Sequence, residues 1–165
     1  MKHRAPRRQM PFVVKLLILT LLLLAATAAA EYAGLFGGPE FVEANVIDIQ
    51  GTTLIIGRDC TAIVADTTPD QARSIRLGKE KTVELRPTTH DLYAETLSSF
   101  NITVEEAAMT RFGNDIYYAE LVLRSGDTVL RLDSRPSDAL AIALRADVPF
   151  MISKAVLEEK GQNIC

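Results

Sequence analysis

Two tight-turn signals in the second half of the chain restrict its fold more than any other feature of the sequence. Gly113-Asn114-Asp115 and Ser125-Gly126-Asp127 separate three strand-like segments, Ile102–Arg111, Ile116–Arg124 and Thr128–Asp133. Asn, Asp and Gly readily adopt the backbone angles that short hairpin turns require. The three segments therefore predict an antiparallel meander.

Five other segments have the apolar alternation or short apolar run of a strand, and two of them flank Gln50-Gly51 as a hairpin. These segments are Phe41–Ile49, Thr52–Gly57, Cys60–Ala65, Thr82–Leu85 and Phe150–Ser153. A strand, a helix and a strand over Val129–Ser153 form a crossover that can place two strands parallel.

Helix-start signals occur at three places. Thr68-Pro69-Asp70-Gln71 has an N-cap threonine, a first-position proline and a glutamine three residues on, and this helix is expected to run to about Leu77 and stop at Gly78. Thr88 and Asp91 occupy the reciprocal positions of a capping box. That second helix carries Leu92, Leu97 and Phe100 and is expected to end at Asn101.

The third start, Arg135-Pro136-Ser137-Asp138, opens a helix over Ala139–Ala146 that is apolar on most faces and hence buried. A terminal helix is expected around Ala155–Lys160. Together these elements predict the α+β class, with a mixed, mainly antiparallel sheet packed with three to four short helices. An N-terminal hydrophobic helix precedes that domain.

Residues 1–30 are predicted to be a signal peptide or a membrane anchor. A basic head, Met1 to Arg8, precedes an apolar run from Leu16 to Ala30, and Ala28-Ala29-Ala30 is a plausible cleavage site. Counted from Phe12, the apolar run of residues 12–30 approaches the length of a membrane-spanning helix. Both interpretations place the rest of the chain outside the cytoplasm. Residues 31–40 are predicted to be a linker, and residues 41–165 form the domain.

Charge is distributed unevenly along the chain. Residues 1–30 hold five bases and no acid, which leaves 13 bases against 21 acids in residues 31–165, a net charge of −8. A general nucleic-acid surface needs an excess of Lys and Arg, so any contact with nucleic acid is local. The two cysteines, Cys60 and Cys165, can pair outside the cytoplasm, but two free thiols are an equally good interpretation.

Candidate chemistry is concentrated in a pattern that occurs twice: Arg-Pro, a hydroxyl residue and an Asp at a helix start. Helix N-termini and arginines both bind phosphate oxygens, so Arg86, Thr88 and Ser137 are candidate substrate-binding residues. The catalytic candidates are His90, Asp91, Asp133, Arg135 and Asp138. His90 is the only imidazole outside the N-terminal segment and so the candidate general base. Asp133 and Asp138 are the candidate ligands of a divalent cation, Mg²⁺ or Mn²⁺.

A purely structural interpretation of the same residues stands beside this one. Capping alone selects Ser, Thr and Asp at these positions. Arg86 and Arg135 can simply pair with Asp138 and Asp91 and fix the two helices on the sheet. On residue chemistry alone the structural interpretation is favoured, since ion pairs and caps are commoner than active sites.

The sequence also resembles a known family, the bifunctional nuclease domain family, over roughly residues 42–160. The resemblance is carried by Arg86-Pro87-Thr88-Thr89-His90-Asp91-Leu92, Tyr117-Tyr118-Ala119 and Leu132-Asp133-Ser134-Arg135-Pro136-Ser137-Asp138-Ala139, with Gln71-Ala72 and Pro149-Phe150 in the expected order. It implies an α+β domain that cleaves both RNA and DNA.

Two functions are therefore expected as alternatives. The first is an exported or membrane-anchored nuclease that hydrolyses phosphodiester bonds with the help of a metal. The second is a non-enzymatic module on the outer face of the membrane that binds an anion or a protein. Nucleic acid is the expected partner of the first, residues 12–30 are the expected membrane contact if uncleaved, and a homo-oligomer is left open.

Overall fold

The computed structural model describes residues 14–24 and 40–165, and the chain divides into two units, 1–38 and 39–165. In the first unit, residues 14–24 form helix α1, whose leucines are exposed, in agreement with the predicted hydrophobic helix. Within the described residues, no helix has both the length and the apolar character needed to cross a membrane. The predicted basic head and cleavage site lie outside the described residues, as does the predicted linker apart from Glu40.

The second unit is an α+β domain, as predicted. Its strands are β1 (Phe41–Gln50), β2 (Thr53–Arg58), β3 (Thr61–Asp66), β4 (Thr103–Gly113), β5 (Ile116–Ser125), β6 (Thr128–Ser134), β7 (Phe150–Ser153) and β8 (Gln162–Asn163). Its helices are α2 (Pro69–Lys79), α3 (Thr89–Ser99), α4 (Pro136–Ala146) and α5 (Lys154–Lys160).

All eight strands form one sheet in the order β6-β5-β4-β7-β1-β2-β3-β8. Every pairing is antiparallel except that of β4 with β7. The predicted meander is confirmed as β4-β5-β6. Its first turn has positive φ angles at both Asn114 and Asp115, and its second has Gly126 at φ 55°, as two-residue hairpins require. The predicted crossover is also confirmed, since α4 connects β6 to β7.

Helix α4 is the centre of the core. Residues Ala139–Ala143 are all buried, and Leu140 is only 1% exposed. The helix packs against β4 and β5 of the meander, whose Met109 and Leu121 belong to the same core cluster, and against helices α2 and α3. Because α4 touches both neighbouring helices, it fixes where their N-termini lie.

Three details differ from the sequence prediction. Helix α2 does not stop at Gly78 but continues to Lys79, because that glycine serves close packing: a Cβ there would lie 2.9 Å from the Arg145 guanidinium. Thr82–Leu85 is not a strand, and Leu85 is fully exposed. In α3 only Leu97 of the three predicted apolar anchors is buried, and the helix ends at Ser99.

The cysteines, which the sequence left undecided, form a disulfide between Cys60 and Cys165. The last residues lie beside β3, where β8 pairs with Thr61 and Ala62 and the Ile164 N–H donates to the Cys60 carbonyl. The C-terminus is therefore bound to the sheet rather than frayed.

Candidate functional site

A cleft of about 710 Å³ lies where the N-termini of three helices meet. The N-cap residues Thr68 of α2, Thr88 of α3 and Arg135 of α4 all line it. The other lining residues are Asp70, Gln71, Arg73, Ser74, Pro87, Thr89, His90, Tyr93, Asp138 and Ile142. Residues from both Arg-Pro motifs therefore line one cleft, and α2 forms a third wall.

His90 forms hydrogen bonds through both ring nitrogens. Its Nδ1 lies 2.9 Å from the Ser74 hydroxyl oxygen, and its Nε2 lies 3.3 Å from Oδ1 of Asp138. An ionised carboxylate can only accept, so Nε2 carries the proton, and in the neutral imidazole Nδ1 accepts from the Ser74 hydroxyl. The result is a serine–histidine–aspartate chain at the cleft, with Ser74 only 3% exposed.

Asp138 is held ionised by its neighbours. Arg135 Nε donates to Oδ2 at 2.6 Å and Arg135 Nη2 to Oδ1 at 3.1 Å. Burial acts to raise the pKa of Asp138, but the hydrogen bonds and charge of Arg135, helped by Gln71 and His90, outweigh burial and hold that pKa below its ordinary value. The Arg135 side chain is itself 69% exposed, so it faces solvent at the cleft.

Gln71 ties the start of α2 to the start of α4. In one orientation of its amide, Nε2 donates to Asp138 at 3.3 Å while Oε1 accepts the Thr68 N–H and completes the capping box. In the other orientation, Oε1 accepts from the Arg135 guanidinium and from the Ser137 hydroxyl, each at 3.0 Å. Either arrangement joins the two helix starts. Ser137 thus lies against Gln71 and does not line the cleft.

Asp91 lies behind the cleft in a structural role. One oxygen accepts from the N–H and hydroxyl of Thr88, as the predicted capping box requires, and the other accepts from Arg145 Nε at 2.5 Å. Both side chains of this ion pair are largely shielded from solvent, with 11% exposure for Asp91 and 8% for Arg145. Burial acts to raise the pKa of Asp91, but the hydrogen bonds from Thr88 and Arg145 outweigh burial and lower it.

Two other predicted site residues are not in the cleft. Asp133 pairs across the sheet with Glu120, whose neighbours Ala119 and Leu121 point into the core. Because side chains alternate along a strand, Asp133 points to the outer face, away from α4. Arg86 is exposed in the loop before α3 and makes no hydrogen bond or ion pair within the described residues. The predicted pairs of Arg86 with Asp138 and of Arg135 with Asp91 do not occur among the described residues, since Arg135 pairs with Asp138 and Arg145 pairs with Asp91.

The described residues do not fit a cation held by Asp133 and Asp138. Asp133 is on the outer face of the sheet, while both oxygens of Asp138 are occupied by donors. In residues 14–24 and 40–165 no three His, Cys, Asp or Glu side chains cluster, and every buried side-chain nitrogen and oxygen has a partner. The divalent cation stays a prediction without geometric support, and no chemical step is assigned to it.

Sequence reasoning missed Ser74 and Arg145. Ser74 lies in mid-helix with no signal in its neighbours, and only the packing of α2 beside α3 brings its hydroxyl to His90. Arg145 could have been identified from the sequence, since it is the one charged residue among the apolar residues of Ala139–Ala146. A buried position on that helix requires an acidic partner, which Asp91 supplies.

Comparison with known proteins gives a consistent result. The model of a family described as the bifunctional nuclease domain matches residues 60–164, well over half of the chain. That range contains the whole cleft, while β1 and β2 precede it.

Similarity to individual proteins is lower and partial. An uncharacterized protein of Mycobacterium tuberculosis is 32% identical over 91 residues, which are 55% of this chain and 54% of that protein. Bifunctional nuclease 2 of Arabidopsis thaliana is 30% identical and bifunctional nuclease 1 of Oryza sativa subsp. japonica 28% identical, each over 82 residues. Those matches cover 48% of this chain but only 25% of each plant protein. The chain thus spans about half the length of the mycobacterial relative and a quarter of the plant relatives.

Proposed function

This chain belongs to the bifunctional nuclease domain family, and from that premise we propose that it is a nuclease that hydrolyses phosphodiester bonds of RNA and DNA in the cleft. The observation that carries the proposal is the hydrogen-bonded chain of Ser74, His90 and Asp138. A base oriented by a carboxylate at the junction of three helix N-termini suits attack on an anionic phosphodiester.

His90 is proposed as the general base and Ser74 as its contact with the cleft. Water attacks the phosphorus atom, and its proton passes to the Ser74 oxygen while the Ser74 proton passes to Nδ1 of His90. The bond from phosphorus to the leaving oxygen breaks, and that oxygen takes a proton from solvent. Asp138 accepts the Nε2–H throughout and stabilises the imidazolium that forms.

Arg135 is proposed to bind the phosphate. Asp138 accepts two of the five guanidinium N–H groups, which leaves donors for a phosphate oxygen at an exposed position. Local binding of this kind agrees with the acidity of residues 31–165, because it requires one placed arginine rather than a basic surface.

The test is cleavage of labelled single-stranded RNA and DNA by the full chain, with and without a chelator. His90→Ala and Asp138→Asn should reduce the rate by about 10²–10⁴ while the protein remains folded. The matched controls are Asp133→Asn and Arg86→Ala, which alter predicted site residues that lie outside the cleft and should retain wild-type rates. A folded His90→Ala protein with the wild-type rate would contradict the proposal.

The second candidate function, an anion-binding module without catalysis, is favoured by the burial of Ser74. A nucleophile or relay must meet its substrate, and a serine residue that is only 3% exposed does so only if the cleft opens. The two functions separate in one measurement: the module binds oligonucleotide without turnover, and His90→Ala leaves its affinity unchanged within about twofold.

We also propose that the domain acts outside the cytoplasm, either anchored by residues 12–30 or released after cleavage near Ala30. The Cys60–Cys165 disulfide supports this proposal, since disulfides persist mainly in exported proteins. A tag after Cys165 should be accessible to protease in intact cells and a tag before Lys2 should be protected. Protection of the C-terminal tag would exclude export.

A further inference from the structure

Strand β6 is an edge strand that carries two charged side chains, Arg131 and Asp133, but neither a proline, a lysine nor a bulge to protect it against pairing. Within the described residues only β5 pairs with it, and that pairing runs over all seven residues without a bulge. The sequence Thr128–Ser134 has no proline and no lysine, which commonly block such edges. Val129 and Leu130 are exposed at 42% and 51%. An edge of this kind is a template for another strand.

The hairpin geometry identifies which backbone groups face that open edge. Ser125 and Thr128 flank the two-residue turn and form the hydrogen-bonded pair that closes it. Because antiparallel pairs alternate, the N–H and C=O groups of Val129, Arg131 and Asp133 point away from β5. An added antiparallel strand must pair with these three residues.

From these observations we propose that the β6 edge is a homodimer interface, in which β6 of two copies pair antiparallel about Leu132. In this register Leu132 faces Leu132 of the other copy, and Arg131 of each copy faces Asp133 of the other. The outward backbone groups of Arg131 and Asp133 then bond each other across the interface. The contact is isologous, as a two-fold dimer requires.

Charge selects this register over its neighbour. In the neighbouring register the two-fold axis passes beside Arg131 instead of Leu132, so Arg131 faces Arg131 of the other copy. Like charges directly opposite on a sheet are destabilising. The proposed register instead gives two opposite-charge pairs, each of the kind that stabilises cross-strand contacts.

The dimer also removes a repulsion that exists within one copy. Asp133 lies directly opposite Glu120 on the outer face, so two carboxylates face each other there. Within one copy, Nη1 of Arg131 lies 2.5 Å from Oε1 of Glu120 and forms an ion pair with it. Asp133 has no ion pair within the described residues. Arg131 of a second copy would supply the missing cation to Asp133.

The inner face of the edge is apolar and incompletely covered. Leu130 is 51% exposed, and Leu132 packs only partly against the core. In the proposed dimer, Leu132 of the two copies contact across the two-fold axis and Leu130 packs beside them. The axis is perpendicular to the sheet, so α4 of both copies lies on the same face.

Cysteine cross-linking of the full chain, expressed in intact cells, tests the register. In Leu132→Cys the two Cβ atoms lie about 4.5–5.5 Å apart across the axis, which is within reach of a disulfide after small adjustment. The matched control is Leu130→Cys, which faces Ser134 of the other copy. Covalent dimer on a non-reducing gel should form at least about tenfold more from position 132.

Charge exchange supplies an independent measurement. In the purified full chain in detergent, Arg131→Asp should lower the dimer fraction in sedimentation by about tenfold, and Arg131→Asp with Asp133→Arg should restore it. The matched control, Arg124→Asp, also removes an outer-face ion pair but lies on β5, and should leave the dimer intact.

The possible results each decide the proposal. Equal or greater cross-linking at position 130, a monomeric wild-type chain, or an unchanged dimer in Arg131→Asp would each overturn it. If Leu132→Cys fails to fold, sedimentation of the charge variants decides alone.

Discussion

At the residue scale, two aspartates in equivalent helix positions have different roles. Asp91 and Asp138 each stand three residues after the N-cap of their helix. Asp91 completes a capping box and pairs with the buried Arg145, whereas Asp138 binds the exposed Arg135 and the ring of His90. The same local sequence pattern therefore yields a structural brace in one helix and the support of a candidate base in the other.

The buried pair of Asp91 and Arg145 gives a prediction about acid stability. Asp91→Asn should lower the free energy of unfolding at pH 7 by about 3–5 kcal/mol, because Arg145 is left buried without a charged partner. The folded-state pKa of Asp91 is lowered, so its contribution is complete above the unfolded-state pKa of about 3.9 and is lost as the pH falls through the lower folded value. Urea unfolding at pH 7 and pH 3 should therefore show a smaller pH effect in the variant.

The control is Asp147→Asn, which removes the exposed partner of Lys81. This change should cost less than about 1 kcal/mol. Equal losses in the two variants would show that the Asp91 pair is no more important than a surface pair.

The sequence predicted part of the site at this scale and not the rest. Thr88 and Asp91 were identifiable as a capping box because the pattern is local. The contact of Ser74 with His90 joins residues sixteen positions apart on different helices, and no local pattern encodes it. Asp133 was assigned to the site because it is adjacent in sequence to the Arg135 motif, but strand alternation directs it to the opposite face.

At the scale of elements, helix α4 determines the arrangement of the others. Its composition predicted burial, and the prediction is confirmed at Ala139–Ala143. The strands of the meander were predictable because their turns are marked by Asn, Asp and Gly. Thr82–Leu85 was predicted wrongly because an apolar alternation becomes a strand only where a neighbouring strand offers its edge, and this segment pairs with none in the described part of the chain.

A cavity in α4 should be costly. Leu140→Ala should lower the free energy of unfolding by about 2–5 kcal/mol, since the side chain is 1% exposed and its neighbours cannot collapse freely. The matched control is Leu92→Ala in α3, which is 52% exposed and should change stability by less than about 0.5 kcal/mol. Chemical denaturation of both variants checks the difference. A loss below about 1 kcal/mol at Leu140 would mean that α4 is not the packing centre.

At the scale of the whole molecule, the disulfide closes most of the domain into one loop. Cys60 and Cys165 are 105 positions apart, so the bond links the start of β3 to the end of the chain. The sequence could not settle this pairing, because nothing local shows that β8 returns the last residues to β3.

Removal of the disulfide should destabilise the whole domain. The double variant Cys60→Ser with Cys165→Ser should lower the free energy of unfolding by about 2–5 kcal/mol, because cross-linking a loop this long restricts the unfolded chain. A reductant should lower the stability of the wild type by a similar amount and leave the double variant unchanged. A reductant effect in the variant as well would point to a cause other than this bond.

Strand β7 has only four residues, yet it pairs with β4 on one side and β1 on the other. The chain is made from its N-terminus, so β1-β2-β3 and β4-β5-β6 are both complete before Phe150 exists. Until Phe150–Ser153 is synthesised, no strand joins β1-β2-β3 to β4-β5-β6. The long-range pairing of these two groups of strands therefore forms last. A premature stop just before Phe150 would therefore leave β1-β2-β3 and β4-β5-β6 with no strand to join them.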